Sequence, residues 1–120
     1  MVPITSSVEK VLRDNGAPTG LCHLYVPHTT AGLTVNEGAD PAVAQDILQQ
    51  LQALVPTNAG FRHLEGNADA HVKASVVGCS LVVAVEAGRL RLGRWQTVFF
   101  CEFDGPRTRT VEVRVVPCPP

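Results

Sequence analysis

Gly20-Leu21-Cys22-His23-Leu24-Tyr25-Val26-Pro27-His28 is the stretch from which the fold can be read. In an extended backbone successive side chains point to opposite faces, so Cys22, Leu24 and Val26 share one face and Leu21, His23 and Tyr25 the other. If the extended geometry persists through Pro27, His28 ends the apolar, inward-looking face. His23, on the opposite face, reads as a surface or interface histidine. Such a strand needs partners, and the downstream sequence offers them. Val76 to Val85 is apolar and β-branched, and Glu86-Ala87-Gly88-Arg89 reads as a hairpin connection into Leu90 and Leu92. From Trp95 to Phe103, Gln96, Val98, Phe100 and Glu102 oppose Trp95, Thr97, Phe99, Cys101 and Phe103, and both faces look covered. A last strand sets Val111, Val113 and Val115 against Thr110, Glu112 and Arg114.

Two helices are expected around these strands. Ser6-Ser7-Val8-Glu9 offers a capping box, with Glu9 reaching back to the helix start, and the helix ends near Gly16. Asp40-Pro41 supplies a capping carboxylate and a proline in the first turn. Val43, Ile47, Leu51 and Leu54 form that helix's buried stripe, and Pro56 closes it. Residues 57 to 70, rich in Gly, Asn and Asp, read as a loop, and a strand beginning at His71 would place His71, Lys73 and Ser75 on one face. The sum is a single α+β domain over residues 1–120 with mostly antiparallel pairing, ending in a frayed Pro117 to Pro120 tail. The first helix follows Met1 so closely that nothing is expected to cover its flank or pair with a sheet edge, a task left for a subunit partner.

The bulk properties narrow the function. The 120-residue chain is 45% hydrophobic and 18% charged, enough for a real core, and its formal net charge of -1 leaves no electrostatic footprint for nucleic acid. No apolar run is long enough to span a bilayer and no basic-then-apolar leader is present, which predicts a cytoplasmic protein with no membrane partner. Cys22, Cys79, Cys101 and Cys118 are far apart and never form Cys-x-x-Cys, so they read as reduced, mostly buried thiols.

Two polar segments interrupt this core-forming sequence: His28-Thr29-Thr30-Ala31-Gly32-Leu33-Thr34-Val35-Asn36-Glu37 and His63-Leu64-Glu65-Gly66-Asn67-Ala68-Asp69-Ala70-His71-Val72-Lys73. Their mixture of imidazole, carboxylate, amide, hydroxyl and ammonium suits a divalent metal, a phosphate, or both. As a metal site, His28, His63 and His71 are the ligands, with Glu65 as a fourth ligand or general base. As an anion site, Thr29, Thr30, Asn67, Ser75 and Lys73 surround a small phosphorylated metabolite, with Lys73 as the clamp and Arg107 joining if the fold returns it to the histidines. His63-x-Glu65 also opens a zinc-deaminase pattern, but the downstream Pro-Cys-x-x-Cys is missing. No Walker or dinucleotide glycine motif is present, and no Ser or Cys sits in a nucleophile elbow. Glu102, in the apolar run Val98-Phe99-Phe100-Cys101, must be paired, either with Arg107 or Arg109 or within the site.

Taken with Ala39-Asp40-Pro41, Gly93-Arg94-Trp95-Gln96 and Glu102-Phe103-Asp104-Gly105-Pro106-Arg107, these segments resemble the YjbQ family, also called UPF0047, in four ordered motifs across nearly the whole chain. The resemblance implies a compact α+β subunit with a β-sandwich, a homotrimer, and secondary thiamine-phosphate synthase activity. That activity joins a pyrimidine diphosphate to a thiazole phosphate and releases pyrophosphate. The motif positions that match are His28, Thr29, Thr30, Asn36, Glu37, His63, Glu65, Asn67, His71, Lys73, Gln96 and Glu102. On this reading Glu65, Lys73 and Glu102 are catalytic, Thr29, Thr30, Asn36, Asn67, Ser75, Gln96 and Arg107 bind substrate, and His28, His63 and His71 hold a metal. Imidazole ligands favour zinc or another transition metal, whereas diphosphate chemistry would call for magnesium. The chain departs from the family pattern in having Gly93-Arg94-Trp95 for the commoner Gly-Thr-Trp, and in beginning without the family's usual first strand. A non-enzymatic oligomer that binds a metal or a phosphometabolite is the alternative.

Overall fold

A computed structural model describes residues 1–62 and 66–119. Elements follow in the order β1 (Val2–Pro3), α1 (Thr5–Asp14), β2 (Gly20–Tyr25), β3 (Ala31–Glu37), α2 (Pro41–Leu54), α3 (Ala68–Val77), β4 (Ser80–Glu86), β5 (Arg89–Leu90), β6 (Gln96–Glu102) and β7 (Glu112–Pro117). The strands form two sheets, ordered β1-β6-β3 and β5-β4-β2-β7, with antiparallel pairing throughout. The expected α+β class with a β-sandwich is what the chain adopts, with a third helix added.

The alternation in β2 does what its pattern demands. Cys22, Leu24 and Val26 are buried and meet Leu33, Val98 and Phe100 of the facing sheet, with Val8 and Leu12 of α1 and Val85 and Leu90 closing the same core. Glu86–Arg89 makes the expected hairpin, and Ala87 and Gly88 both take the left-handed backbone that such a two-residue turn requires. In β6 both faces are covered: Val98 and Phe100 enter the core, while Phe99 and Cys101 are buried on the other side of their sheet.

Several local expectations are overturned. Residues 68–77 form a helix instead of the end of a loop and the start of a strand. Its buried positions, Asp69, Ala70, Lys73 and Ala74, follow the helical repeat, and three alanines favour that conformation. Gly78, at φ 101°, stops it, so the following strand begins only at Ser80. The capping box at Ser6 and Glu9 is not made. The Thr5 hydroxyl instead accepts from the Val98 amide at 2.9 Å, and the Glu9 carboxylate accepts from Leu90 at 2.9 Å, so both groups tie α1 to strands. In α2 the Asp40 carboxylate does accept from Ala42, at 2.9 Å, but Leu51 alone of the expected stripe is buried and Leu54 is exposed. The start and end of the chain are also tied in. Val2 and Pro3 pair with Phe100 and Phe99, Pro117 pairs with Gly20, and the Cys118 amide donates to Thr19 at 3.1 Å.

The topology makes one end of the sandwich chemically distinct. Residues 27–30 carry the chain from β2 in one sheet to β3 in the other, and residues 103–111 carry it back from β6 to β7. Both crossovers lie at the end marked by Tyr25, Ala31, Glu102 and Glu112. The bend after α3 is pinned at that end, because Gly78 accepts from Leu33 at 3.0 Å and Cys79 accepts from Val26 at 2.8 Å. Gly32 is what allows the approach: a Cβ there would stand 2.6 Å from the Gly78 oxygen. Among the described residues no helix is long and apolar enough to cross a membrane.

Candidate functional site

The two crossovers and α3 build a polar groove. The Thr110 amide donates to Nε2 of His28 at 2.9 Å, fastening one crossover to the other. That nitrogen accepts only when unprotonated, so a neutral ring making this bond carries its proton on Nδ1. Nearby, Arg109 grips both crossovers. Its Nε donates to Glu102 at 2.8 Å and its Nη2 to the Thr30 hydroxyl at 2.8 Å, with a second bond from Nη2 to the Glu102 carboxylate. The Phe103 amide completes this join by donating to the Thr30 carbonyl at 3.1 Å.

A second network connects the start of α3 to the returning crossover. Nδ2 of Asn67 donates to Asp104 at 2.8 Å, and Arg107 donates to the same carboxylate at 3.0 Å and to the Asp104 carbonyl at 2.8 Å. Oδ1 of Asn67 is buried with no hydrogen-bond partner among the described residues. Such an atom is satisfied by a water or by an N–H or O–H of a ligand. The two guanidinium groups use Nε and Nη2 in these bonds, leaving both Nη1 groups without a partner among the described residues.

The networks set the protonation states. Arg109 holds the Glu102 carboxyl below the usual carboxylate range, and the Asn67 amide, assisted by Arg107, does the same for Asp104. Glu102 in turn raises the Arg109 guanidinium further. Both carboxylates are therefore ionised and engaged, and neither is poised to take a proton near neutrality. Glu102 is a positioning residue for Arg109, which resolves its pairing in favour of Arg109 over Arg107.

His28, Thr29, Thr30, Asn67, His71, Asp104, Arg107 and Arg109 line one cavity of about 420 Å³, within the range of small-molecule sites. Ser75 joins His28, Thr29 and His71 around an adjoining cavity of about 400 Å³. Thus His28, Thr29, Thr30, Asn67, His71, Ser75 and Arg107 are brought together as expected, although Thr30 is buried and serves Arg109. His71 and Ser75 share a face because they are one helical turn apart, and not through strand alternation.

Lys73 goes elsewhere. Its ammonium is buried between α3 and α2, donating to Gln52 at 2.6 Å and to Asp69 at 3.2 Å, and it lines neither cavity. The expected anion clamp is therefore a structural cation, because the strand that would have aimed it beside His71 is a helix. Asn36 and Gln96 also stand apart. They lie at the far end of β3 and β6, where Asn36 accepts from Glu37 at 2.7 Å and Gln96 accepts from Gly93 at 2.8 Å. Five to six residues of strand, roughly 17–20 Å, separate them from Ala31 and Glu102. His63 and Glu65 lie outside the described residues. The site gains two members that the sequence reading left as an ion-pair partner and a turn residue, Arg109 and Asp104. Their alternation with Glu102 and Arg107 around a Gly-Pro turn was the available signal.

A further cavity of about 430 Å³ is lined, among the described residues, by Thr57, Asn58, Gly60, Phe61, Gly66 and Ala68. All four cysteines are free. Cys22 and Cys101 are buried, which raises both thiols, Cys101 to about 11, while Cys118 is half-buried and Cys79 alone is exposed.

The family model described as "UPF0047 protein YjbQ-like" matches residues 1–118. The chain belongs to that family. The Bacillus subtilis UPF0047 protein YugU is 50% identical over 117 residues, covering 97% of this chain and 89% of its own. Among solved structures, the conserved hypothetical protein TT1486 from Thermus thermophilus is 56% identical with a TM-score of 0.90, covering 96% of this chain and 90% of that one. A YjbQ/UPF0047-family protein from Clostridium acetobutylicum is 45% identical with a TM-score of 0.91, covering 96% and 89%. UPF0047 membership accounts for the fold and for the ordered motifs.

The described donors of the groove do not by themselves make a metal centre. Among the described residues no group of three His, Cys, Asp or Glu side chains is placed to hold an ion. His28 has Nε2 committed to Thr110, and Glu102 and Asp104 are committed to cations. Among the described residues these donors do not fit a metal.

Proposed function

We propose that this UPF0047 protein is a small-molecule transferase of the thiamine-phosphate synthase type, taking phosphorylated precursors into the groove between its two crossovers. One observation carries the reading: two imidazoles, two guanidinium groups and an exposed threonine hydroxyl surround a single cavity of about 420 Å³. In the reaction, the lone pair of the thiazole nitrogen forms a C–N bond to the pyrimidine methylene carbon. The C–O bond to diphosphate breaks, and its electron pair leaves on pyrophosphate. What the protein must supply is a set of donors aimed at the leaving oxygen atoms, where charge develops. The Nη1 groups of Arg107 and Arg109 and the Thr29 hydroxyl suit that task, with Glu102 and Asp104 orienting the guanidinium groups. Nδ1–H of His28 is a further donor, and His71 lines the same cavity.

An exposed apolar face supports self-association. Leu21, Tyr25, Val82 and Val116 are exposed together on the outer side of the four-stranded sheet, in keeping with a homotrimer, and the free cysteines suit the cytoplasm. The test is formation of thiamine phosphate and pyrophosphate from the two purified precursors, with size-exclusion chromatography and light scattering to measure the oligomer. Arg107→Ala should reduce turnover about 100- to 1000-fold, as for loss of one transition-state donor. Absence of product from the wild-type protein would overturn the reading.

A non-enzymatic binding module is the second reading, favoured by the balance of charge. Each guanidinium is already matched by a carboxylate, which leaves little net cation for a diphosphate. Calorimetric binding of the thiazole phosphate without turnover would establish the module instead.

A further inference from the structure

The groove has two lobes of different chemistry joined at a common waist. His28, Thr29 and His71 line both cavities. Beyond them on one side stand Arg107, Arg109, Asn67 and Asp104, and on the other Ala31, Ala74, Ser75, Gly78 and Cys79. Among the described residues the second lobe has no charged lining side chain apart from the shared imidazoles, so a phosphate there would find hydroxyls but no guanidinium to pair with. Its walls are short. Ala74 presents only a methyl group and half-buried Gly78 no side chain, with fully buried Ala31 behind them, so the surface accepts a flat ring in contact with it. Ser75 and Cys79 are exposed at the same lobe.

We propose that the site is bipartite and selects phosphorylated heterocycles: the phosphate sits in the Arg107–Arg109 lobe and the uncharged ring lies on Ala74 and Gly78, beside Cys79. The inference rests on the groove being an anion site and adds which end of the ligand goes where. The waist explains why both imidazoles are placed as they are. His28, fixed by Thr110, and His71, in the first half of α3, stand at the junction where a ring and its phosphate-bearing arm meet.

Cys79 makes the arrangement testable, because an exposed thiol reports whether its lobe is filled. Alkylation of Cys79 by iodoacetamide would be followed by peptide mass spectrometry in the presence of thiazole phosphate, its unphosphorylated alcohol, or inorganic phosphate, with binding of each measured by calorimetry. Thiazole phosphate at about ten times its Kd should slow alkylation about tenfold. Inorganic phosphate should bind without protecting Cys79. Cys79→Phe, at an exposed position, should weaken thiazole phosphate binding and leave phosphate binding intact, whereas Arg107→Ala should weaken both. Thiazole phosphate that binds without protecting Cys79, or inorganic phosphate that protects it equally, would overturn the two-lobe assignment while leaving the anion site standing. If no phosphorylated compound binds, the anion reading falls and the two-lobe assignment falls with it.

Discussion

The Thr110 backbone amide holds Nε2 of His28 at 2.9 Å, so a residue just before β7 fixes the tautomer of a histidine just after β2. Because an imidazole nitrogen accepts only without its proton, the neutral ring must carry hydrogen on Nδ1. Long-range ¹⁵N–¹H correlation at about pH 8, where an ordinary imidazole is neutral, should show a protonated Nδ1 and a bare Nε2 for His28. The opposite tautomer would mean that the crossovers are not joined through this ring.

The Glu102–Arg109 pair predicts a specific acid sensitivity. Glu102 titrates lower in the folded protein than its ordinary value, chiefly through its hydrogen bonds from Arg109. A carboxylate of that kind contributes stability that is complete above the unfolded value, about 4.3, and is lost as pH falls through the depressed folded value. Glu102→Gln should therefore lower stability at neutral pH by about 1–2 kcal/mol, a figure reduced for a side chain 23% exposed. The difference between variant and wild type should shrink as pH falls below about 4. Urea midpoints measured across that range would check it, and a gap unchanged down to about pH 2.5 would rule out ionisation of Glu102 as the source.

Lys73 separates a structural cation from an anion clamp. Its side chain is 10% exposed and Asp69 beside it 12%, so Lys73→Met leaves a buried carboxylate without its partner and should cost about 3 kcal/mol. Asp69→Leu added to Lys73→Met removes that orphan and should recover most of the loss. The double variant should bind thiazole phosphate as the wild type does, because Lys73 lines neither lobe. A binding loss in a double variant of restored stability would return Lys73 to the site.

What the sequence disclosed follows from how locally each feature is encoded. The strands of the sandwich are legible because alternation in Gly20–Tyr25 and the hairpin at Glu86–Arg89 are short-range patterns. The segment at Ala68–Val77 misled because His71, Lys73 and Ser75 also satisfy a period of two, and the competing signals were quieter: three alanines, an Asp69/Lys73 pair one turn apart and a glycine stop. That single exchange of strand for helix preserved His71 and Ser75 as neighbours and removed Lys73. The histidine cluster was legible as composition, whereas Arg109 was not assigned to the groove. Its membership depends on a return crossover from one sheet to the other, which no local pattern states. Asn36 and Gln96 fail for the converse reason: they match family motifs, but β3 and β6 carry them away from the groove.

Gly32 is the residue on which the geometry of the groove most directly depends. It lies beside the bend at Gly78 and Cys79, and a Cβ there would meet the Gly78 oxygen at 2.6 Å and Cγ1 of Val77 at 3.2 Å. A backbone oxygen cannot swing aside as a flexible side chain can, so Gly32→Ala must push the end of α3 away from β3. It should cost about 1–3 kcal/mol, the usual range for overpacking, and lower the melting temperature accordingly. Val77→Ala clears the weaker of the two contacts and leaves the oxygen in place, so it should not rescue the variant. Because the Leu33 amide bonds to that same Gly78 oxygen, hydrogen exchange at Leu33 should accelerate in Gly32→Ala while exchange within β2 stays slow. Full rescue by Val77→Ala would show instead that the side chain, and not the close approach of β3 to the end of α3, sets the requirement for glycine.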